Sequence, residues 1–377
     1  MECSVYTRSC ECVLTFAHEL PLRLPLVCFA PKGYARSVNE LNYTPTRVRE
    51  WCDVDAKQFR EQIAVSNQPA VLRGAIRGWP AVHEALKSPH AIAGYLLSLE
   101  QGGAVPLLIG DPSIHGRFFY RDDMRGQNFS RRLAPLAAGL QGLLENLDNP
   151  EPPAIYIESA PLPHCLPTFA KQQRLELLDE FVVPRIWIGN SVKVQTHFDL
   201  FSNIACVVAG RRRFTLFPPD QLANLYVGPM DFTPSGVPVS MVPLDKPDFE
   251  RYPRFRQALA NAQVADLEAG DALFVPFAWW HHVESLSAFN VLVNYWWNDS
   301  HPAFSLRECL LHGVFAFRDL PREQRMAWRN LFDYFVFQTN GEPLAHLPPE
   351  HRGLMAARGA ESLNEVRRIL RQALSQP

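Results

Sequence analysis

From residue 185 to about residue 298 the chain runs as a series of short segments rich in β-branched and aromatic residues, each bounded by Gly, Pro or Asn: 185–188, 195–208, 212–217, 272–275 and 289–297. Short strands with one long excursion between the third and fourth segments form the pattern of a compact antiparallel barrel. The 32 prolines fall among short apolar runs, which favours strands and loops over a helical bundle. The fold class this predicts is mainly β with flanking helices, a double-stranded β-helix (jelly-roll) barrel carrying an N-terminal α/β elaboration and C-terminal helices.

The flanks read differently. A helix opens near residue 53, with Asp53 or Asp55 as cap and Phe59, Ile63 and Ala64 on one face, and an apolar strand follows at 69–73. A helical stretch at 91–99, a strand at 154–158 and a short helix at 175–181 lead into the barrel. After Pro302, segments 306–316, 322–337 and 362–374 have helical periodicity and charged faces. The organisation expected is a poorly specified extension over residues 1–40, the barrel domain with its elaboration over 41–300, and a helical region over 301–377. Leu310, Val314, Phe315, Trp328, Leu331, Phe332 and Phe335 would supply the apolar contacts of a homodimer, or else these helices cover the barrel's open end within one chain.

With 37 Lys and Arg against 39 Asp and Glu, and a net charge of -2, the chain has no global attraction to nucleic acid or to an anionic membrane. Eight cysteines without a regular framework read as reduced thiols, and so as a cytoplasmic protein. The opening segment is broken by His18, Glu19 and Arg23, which makes a poor signal-peptide core and too short a run to span a bilayer. The partner expected is an unidentified protein or small-molecule substrate.

The chemistry concentrates in two places. In Gln195-Thr196-His197-Phe198-Asp199, alternation along a strand lets His197 and Asp199 reach one metal ion, and a returning strand through Trp279-Trp280-His281-His282-Val283 supplies a second imidazole. Two imidazoles and one carboxylate leave three octahedral positions open, which suits non-haem Fe(II). Alternation alone does not choose between His281 and His282. His164 and His301 each lie beside a proline in an apparent loop and rank lower.

In Arg211-Arg212-Arg213 a strand turns Arg212 inward with Phe214 and Leu216, and a guanidinium forced toward an apolar interior needs an anion, most naturally a carboxylate held bidentately. Asn203 shares the parity of His197, and Asn294 that of Trp296, so both amides can face the same cavity. Tyr156 lies in an apolar strand with a phenol to donate. Trp279, Trp280, Trp296 and Trp297 read as barrel packing.

Taken in order, His197-Phe-Asp199, Gly210-Arg-Arg212-Arg-Phe-Thr-Leu-Phe-Pro-Pro219, Gly270-Asp-Ala-Leu-Phe-Val-Pro276, Trp279-Trp-His-His-Val283 and Val293-Asn-Tyr-Trp296 resemble the JmjC/cupin-like Fe(II)- and 2-oxoglutarate-dependent oxygenases, most nearly the JmjC-type asparaginyl and lysyl protein hydroxylases. The resemblance implies His197, Asp199 and His281 as catalytic iron ligands, 2-oxoglutarate and O2 as co-substrates, and Arg212, in place of the usual lysine, on the distal carboxylate. It places Tyr156, Asn203 and Asn294 around the co-substrate. Val194 stands where close relatives often carry a co-substrate-binding hydroxyl. Thr196 is the nearest hydroxyl and a further co-substrate candidate, although a regular strand turns it away from His197. The activity implied is dioxygenation of a polypeptide side chain. Oxidation of a small molecule or an RNA nucleotide, or demethylation of N-methyl lysine, would use the same chemistry, and a non-oxygenase cupin metal-binding module or a Zn/Mn isomerase is the alternative from another class.

Overall fold

The computed structural model describes residues 45–179, 181–298, 305–356 and 359–374. The expected extension over residues 1–40 and His301 lie outside them. The chain divides into two compact units, the first ending at Asn298.

The strands of the first unit are β1 (Thr46–Arg47), β2 (Arg49–Cys52), β3 (Ala70–Arg73), β4 (Ala104–Gly110), β5 (Arg117–Phe118), β6 (Phe129–Pro135), β7 (Ala154–Pro161), β8 (Pro184–Gly189), β9 (Lys193–Phe198), β10 (Ser202–Ala209), β11 (Arg212–Phe217), β12 (Gln263–Leu267), β13 (Ala272–Val275), β14 (Trp280–Ser285) and β15 (Asn290–Trp297). They form two sheets. The smaller is ordered β1-β12-β11-β14-β9-β5 and the larger β2-β3-β13-β10-β15-β8-β7-β4-β6. From β8 to β15 the chain passes back and forth between them, with β8, β10, β13 and β15 in the larger sheet and β9, β11, β12 and β14 in the smaller, as in a jelly roll.

Strict alternation explains how one sequence fills both sides of the large sheet. Ala205, Val207, Leu273, Val275 and Leu292 point into the barrel and meet Phe214, Leu216 and Val283 of the small sheet. Their neighbours Ile186, Ile188, Cys206, Val291 and Val293 point outward into a second core with Ile92, Leu96, Leu140 and Leu143. The last four come from helices Pro89–Leu99 and Leu136–Glu145, the first of which is capped by the Ser88 hydroxyl accepting from Ala91 N at 3.0 Å. The excursion between β11 and β12, with helix Phe255–Ala260, covers the outer face of the small sheet through Leu225, Val242, Phe255, Phe217 and Trp280. Both faces are thus dry except where polar side chains enter by design of the alternation.

Three local expectations are corrected. The run 195–208 is two strands, β9 and β10, separated at Asp199–Phe201, and they belong to different sheets. Of the stretch 175–181, the described residues 175–179 form a turn and a bend, and the short helix is Pro167–Gln172. Leu175 and Leu177, two residues apart, are both buried, a spacing that a single helical face does not provide. Cys165, Cys206 and Cys309 are free thiols, whereas Cys52 is disulfide-bonded, against the expectation of reduced cysteines throughout.

The second unit contains helices Leu306–Phe317, Arg322–Phe335 and Gly359–Leu374. Phe317 packs on Trp328 at 4.9 Å and Phe332 at 5.5 Å between ring centroids, which joins the first two. Leu310, Phe315, Leu331 and Phe335 remain exposed on the single chain. No described helix is long and apolar enough to cross a membrane.

Candidate metal centre

Antiparallel pairing of β9 with β14 sets His197 directly opposite His281, with ring centroids 4.3 Å apart. Each ring is oriented by its own strand: His197 Nδ1 lies 2.8 Å from Gln195 O and His281 Nδ1 lies 3.1 Å from Trp279 O. A carbonyl can only accept, so Nδ1 carries a proton in both rings and Nε2 is the atom left to face a metal.

Asp199 lies one residue past the end of β9, not on the strand. The turn is tied back by Ala278 N donating to Asp199 O at 3.0 Å, and the carboxylate is fixed by the Trp296 indole donating to Asp199 Oδ2 at 3.2 Å. Asp199 Oδ2 comes within 3.6 Å of His281 Nε2, and the ligand atoms of His197, Asp199 and His281 all lie within 4.8 Å of one another. Burial first, and then the neighbouring His197, push His281 down to about 4, although Asp199 opposes them. The ring is therefore neutral near pH 7, the state a metal requires. Two Nε2 atoms on rings held through Nδ1, and one carboxylate that accepts from the Trp296 indole, fit a divalent first-row metal with several positions left open.

The same register separates His281 from His282. His282 is paired with Thr215 on the outer face of the small sheet, its Nδ1 lies 3.5 Å from Thr196 Oγ1, and its Nε2 has no hydrogen-bond partner. Burial pushes it down to about 3. Between His281 and Val283 the pairing shifts: Val283 faces Val194, so β9 spends three steps where β14 spends two. This bulge turns Val194 to the side of His197, while ordinary alternation beside His197 keeps Thr196 outward, against His282. Thr196 is thereby removed from the co-substrate side, which corrects its inclusion among the candidates there.

Arg212 points into the barrel as alternation requires, while its neighbour Arg213 points outward to Asp266 at 2.6 Å. At 1% exposure, Arg212 donates to the Tyr156 hydroxyl, and its Nε and Nη2 have no partner. Burial lowers its pKa from the ordinary arginine value, and burial also pushes Tyr156 up to about 12 despite the guanidinium beside it. The Tyr156 ring lies between Phe118, at 5.9 Å, and Trp187, at 6.0 Å. Asn294 donates to Asn203 Oδ1 at 3.2 Å and accepts from the Trp187 indole at 2.7 Å, so both asparagines sit on the inner face of the large sheet, in a polar row beside Trp296. Leu108, Phe118, Tyr156, Glu158, Val194 and Gln195 line a cavity there, closed by Val239, which bridges to His197.

The structure thus brings His197, Asp199 and His281 together and sets Arg212 beside Tyr156. His164 is exposed on the short helix Leu162–Cys165, away from them. Sequence reasoning missed Trp296 as a partner of Asp199. Its only signal was the parity it shares with Asn294.

Residues 56–302 match the model of the family described as cupin-like domain. The chain is 27% identical over 282 residues to the lysine-specific demethylase JMJ31 of Arabidopsis thaliana, covering 65% of this chain and 49% of that protein. It is 26% identical over 268 residues to Jumonji C domain-containing protein 5 of Drosophila melanogaster, covering 67% of this chain and 61% of that one. The chain therefore spans less than two thirds of either relative. Among solved structures, the ribosomal oxygenase YcfD of Escherichia coli aligns over 89% of this chain and 69% of its own, with 15% identity and a TM-score of 0.38. By the match over residues 56–302, which includes the barrel and all three candidate ligands, the chain belongs to the cupin-like domain family, with JmjC-type proteins among its relatives.

Proposed function

We propose that this protein is an Fe(II)- and 2-oxoglutarate-dependent dioxygenase that hydroxylates a side chain of a polypeptide substrate. When bound, the iron would supply the oxidising chemistry, activating O2 at the expense of 2-oxoglutarate, which leaves as succinate and CO2. His197, Asp199 and His281 would hold it, and their hydrogen bonds to Gln195 O, Trp279 O and the Trp296 indole keep the donors aimed before metal arrives.

The observation that carries the reading is Arg212. A buried guanidinium with two unpartnered nitrogens is costly unless an anion completes it, and it shares the barrel interior with the triad. The far carboxylate of 2-oxoglutarate meets that need bidentately, while Tyr156 steadies the fork. A metal module without a co-substrate leaves this charge unexplained. Phe118, Val194 and Leu108 exclude water around the chain of the co-substrate. Asn203 and Asn294 would orient its metal-proximal end.

The test is succinate release from 2-oxoglutarate that depends on Fe(II) and is lost in His197→Ala, followed by mass spectrometry of candidate polypeptides for a gain of one oxygen. A second reading, removal of a methyl group from N-methyl lysine, uses the same centre and is supported by the name of the Arabidopsis relative. Formaldehyde release separates it from stable hydroxylation. The exposed Leu310, Phe315, Leu331 and Phe335 support a homodimer, and light scattering that gave a one-chain mass at micromolar concentration would contradict it.

A further inference from the structure

We propose that Ser285 donates its hydroxyl to the same carboxylate that Arg212 holds, so that the distal end of the co-substrate is anchored from two adjacent strands. The inference rests on 2-oxoglutarate being the co-substrate.

Ser285 is the direct cross-strand partner of Arg212 in the pairing of β11 with β14. Directly opposed residues have Cβ atoms about 4.5–5.5 Å apart on the same face. That face is the barrel interior, because Ser285 has the parity of His281 and Val283, and Arg212 that of Phe214 and Leu216. Ser285 is 5% exposed, and its Oγ has no partner. Three buried donors without a partner, Arg212 Nε, Arg212 Nη2 and Ser285 Oγ, therefore belong to one cross-strand pair. Orphaned buried donors are costly, and a cluster of three is satisfied at once by a carboxylate, whose two oxygens accept about four hydrogen bonds.

Position along the strands supports the assignment. Arg212 and Ser285 each lie four residues from the Leu216–His281 pair, roughly 13 Å along the sheet at ~3.3 Å per residue. The anchor is thus remote from the metal ligands and takes the far end of an extended molecule. It also answers a deficit on the neighbouring strand, where the bulge brings Val194, with no hydroxyl to offer, to the inner face.

The experiment uses the full chain, loaded with Fe(II) without oxygen. Binding of 2-oxoglutarate and of 2-oxopentanoate, which has the same carbon chain without the far carboxylate, is followed by calorimetry for wild type, Ser285→Ala and Arg212→Gln. Ser285→Ala should weaken 2-oxoglutarate about tenfold, as for a hydrogen bond to a charged group, and leave 2-oxopentanoate within about twofold. Without co-substrate, Ser285→Ala should unfold at the same or a higher temperature, since an orphaned hydroxyl has been removed; a purely structural serine would lower it. Wild type that prefers 2-oxoglutarate, with Ser285→Ala affecting neither ligand or both alike, would overturn the Ser285 assignment alone. Wild type that fails to prefer 2-oxoglutarate over 2-oxopentanoate would overturn the co-substrate reading and this assignment with it.

Discussion

The indole of Trp296 donates to Asp199 Oδ2 across 3.2 Å, joining a β15 side chain in the large sheet to the carboxylate that follows β9 in the small one. The bond spans the barrel and fixes the one candidate ligand that no strand holds. Trp296→Phe keeps an aromatic ring and removes the donor. Iron affinity should fall about tenfold to a hundredfold, as for loss of a hydrogen bond behind a metal ligand, with secondary structure unchanged. Competition against a chelator with known affinity measures it, and wild-type affinity in the variant would show that the bond is incidental.

His281 and His282 should separate cleanly by metal content. His281→Ala should bind far less than one iron per chain, because only two donors remain. His282→Ala should retain full stoichiometry, since its ring faces Thr196 on the other side of the sheet. Metal analysis after gel filtration decides, and loss of iron in both variants would contradict the register of β9 with β14.

Stability should fall in mild acid. Burial holds folded His282 down to about 3 from the ordinary imidazole value of 6.5, so the unfolded chain takes up this proton first as pH drops. Well above pH 6.5 neither state is protonated and the group contributes no pH dependence; as pH falls through 6.5 toward about 3 folding loses stability, by about 2 kcal/mol from pH 7 to pH 5 for this one ring. Denaturant titrations of metal-free protein at both pH values measure the loss, and His282→Gln should reduce it.

A methyl group added at Gly189 would lie 2.7 Å from Tyr156 Cδ2 and 2.9 Å from Ile155 O, both closer than real contacts allow. Gly189→Ala should therefore displace the Tyr156 ring, disturb its bond to Arg212 and destabilise the fold by about 1–3 kcal/mol. Weaker 2-oxoglutarate binding together with lower thermal stability is the expected outcome, and an unaffected variant would show that the ring has room to move.

Much of this was legible because alternation and residue type suffice for it. The inward turn of Arg212 against the outward turn of Arg213, the place of His197 on an inward-facing strand position, and the strand-rich centre all follow from local pattern. What depends on pairing between distant strands was not legible. Alternation alone left His281 and His282 open, and only the resemblance singled out His281; the turn of Val194 to the inner face by the bulge and the meeting of Arg212 with Ser285 require the register of β9, β11 and β14. Asp199 reaches the site from a turn that strand periodicity does not describe. Trp296 looked like packing because an indole reveals its hydrogen bond only when its acceptor is placed.

The central claim, that one centre holds iron and a dicarboxylate keto acid together, is tested most directly by anaerobic titration of 2-oxoglutarate into the Fe(II)-loaded protein, watched for the weak visible metal-to-ligand charge-transfer band. The account predicts a band that needs both iron and 2-oxoglutarate, is absent in His197→Ala and needs much more 2-oxoglutarate in Arg212→Gln. Iron bound at full stoichiometry with no band at saturating 2-oxoglutarate would contradict it.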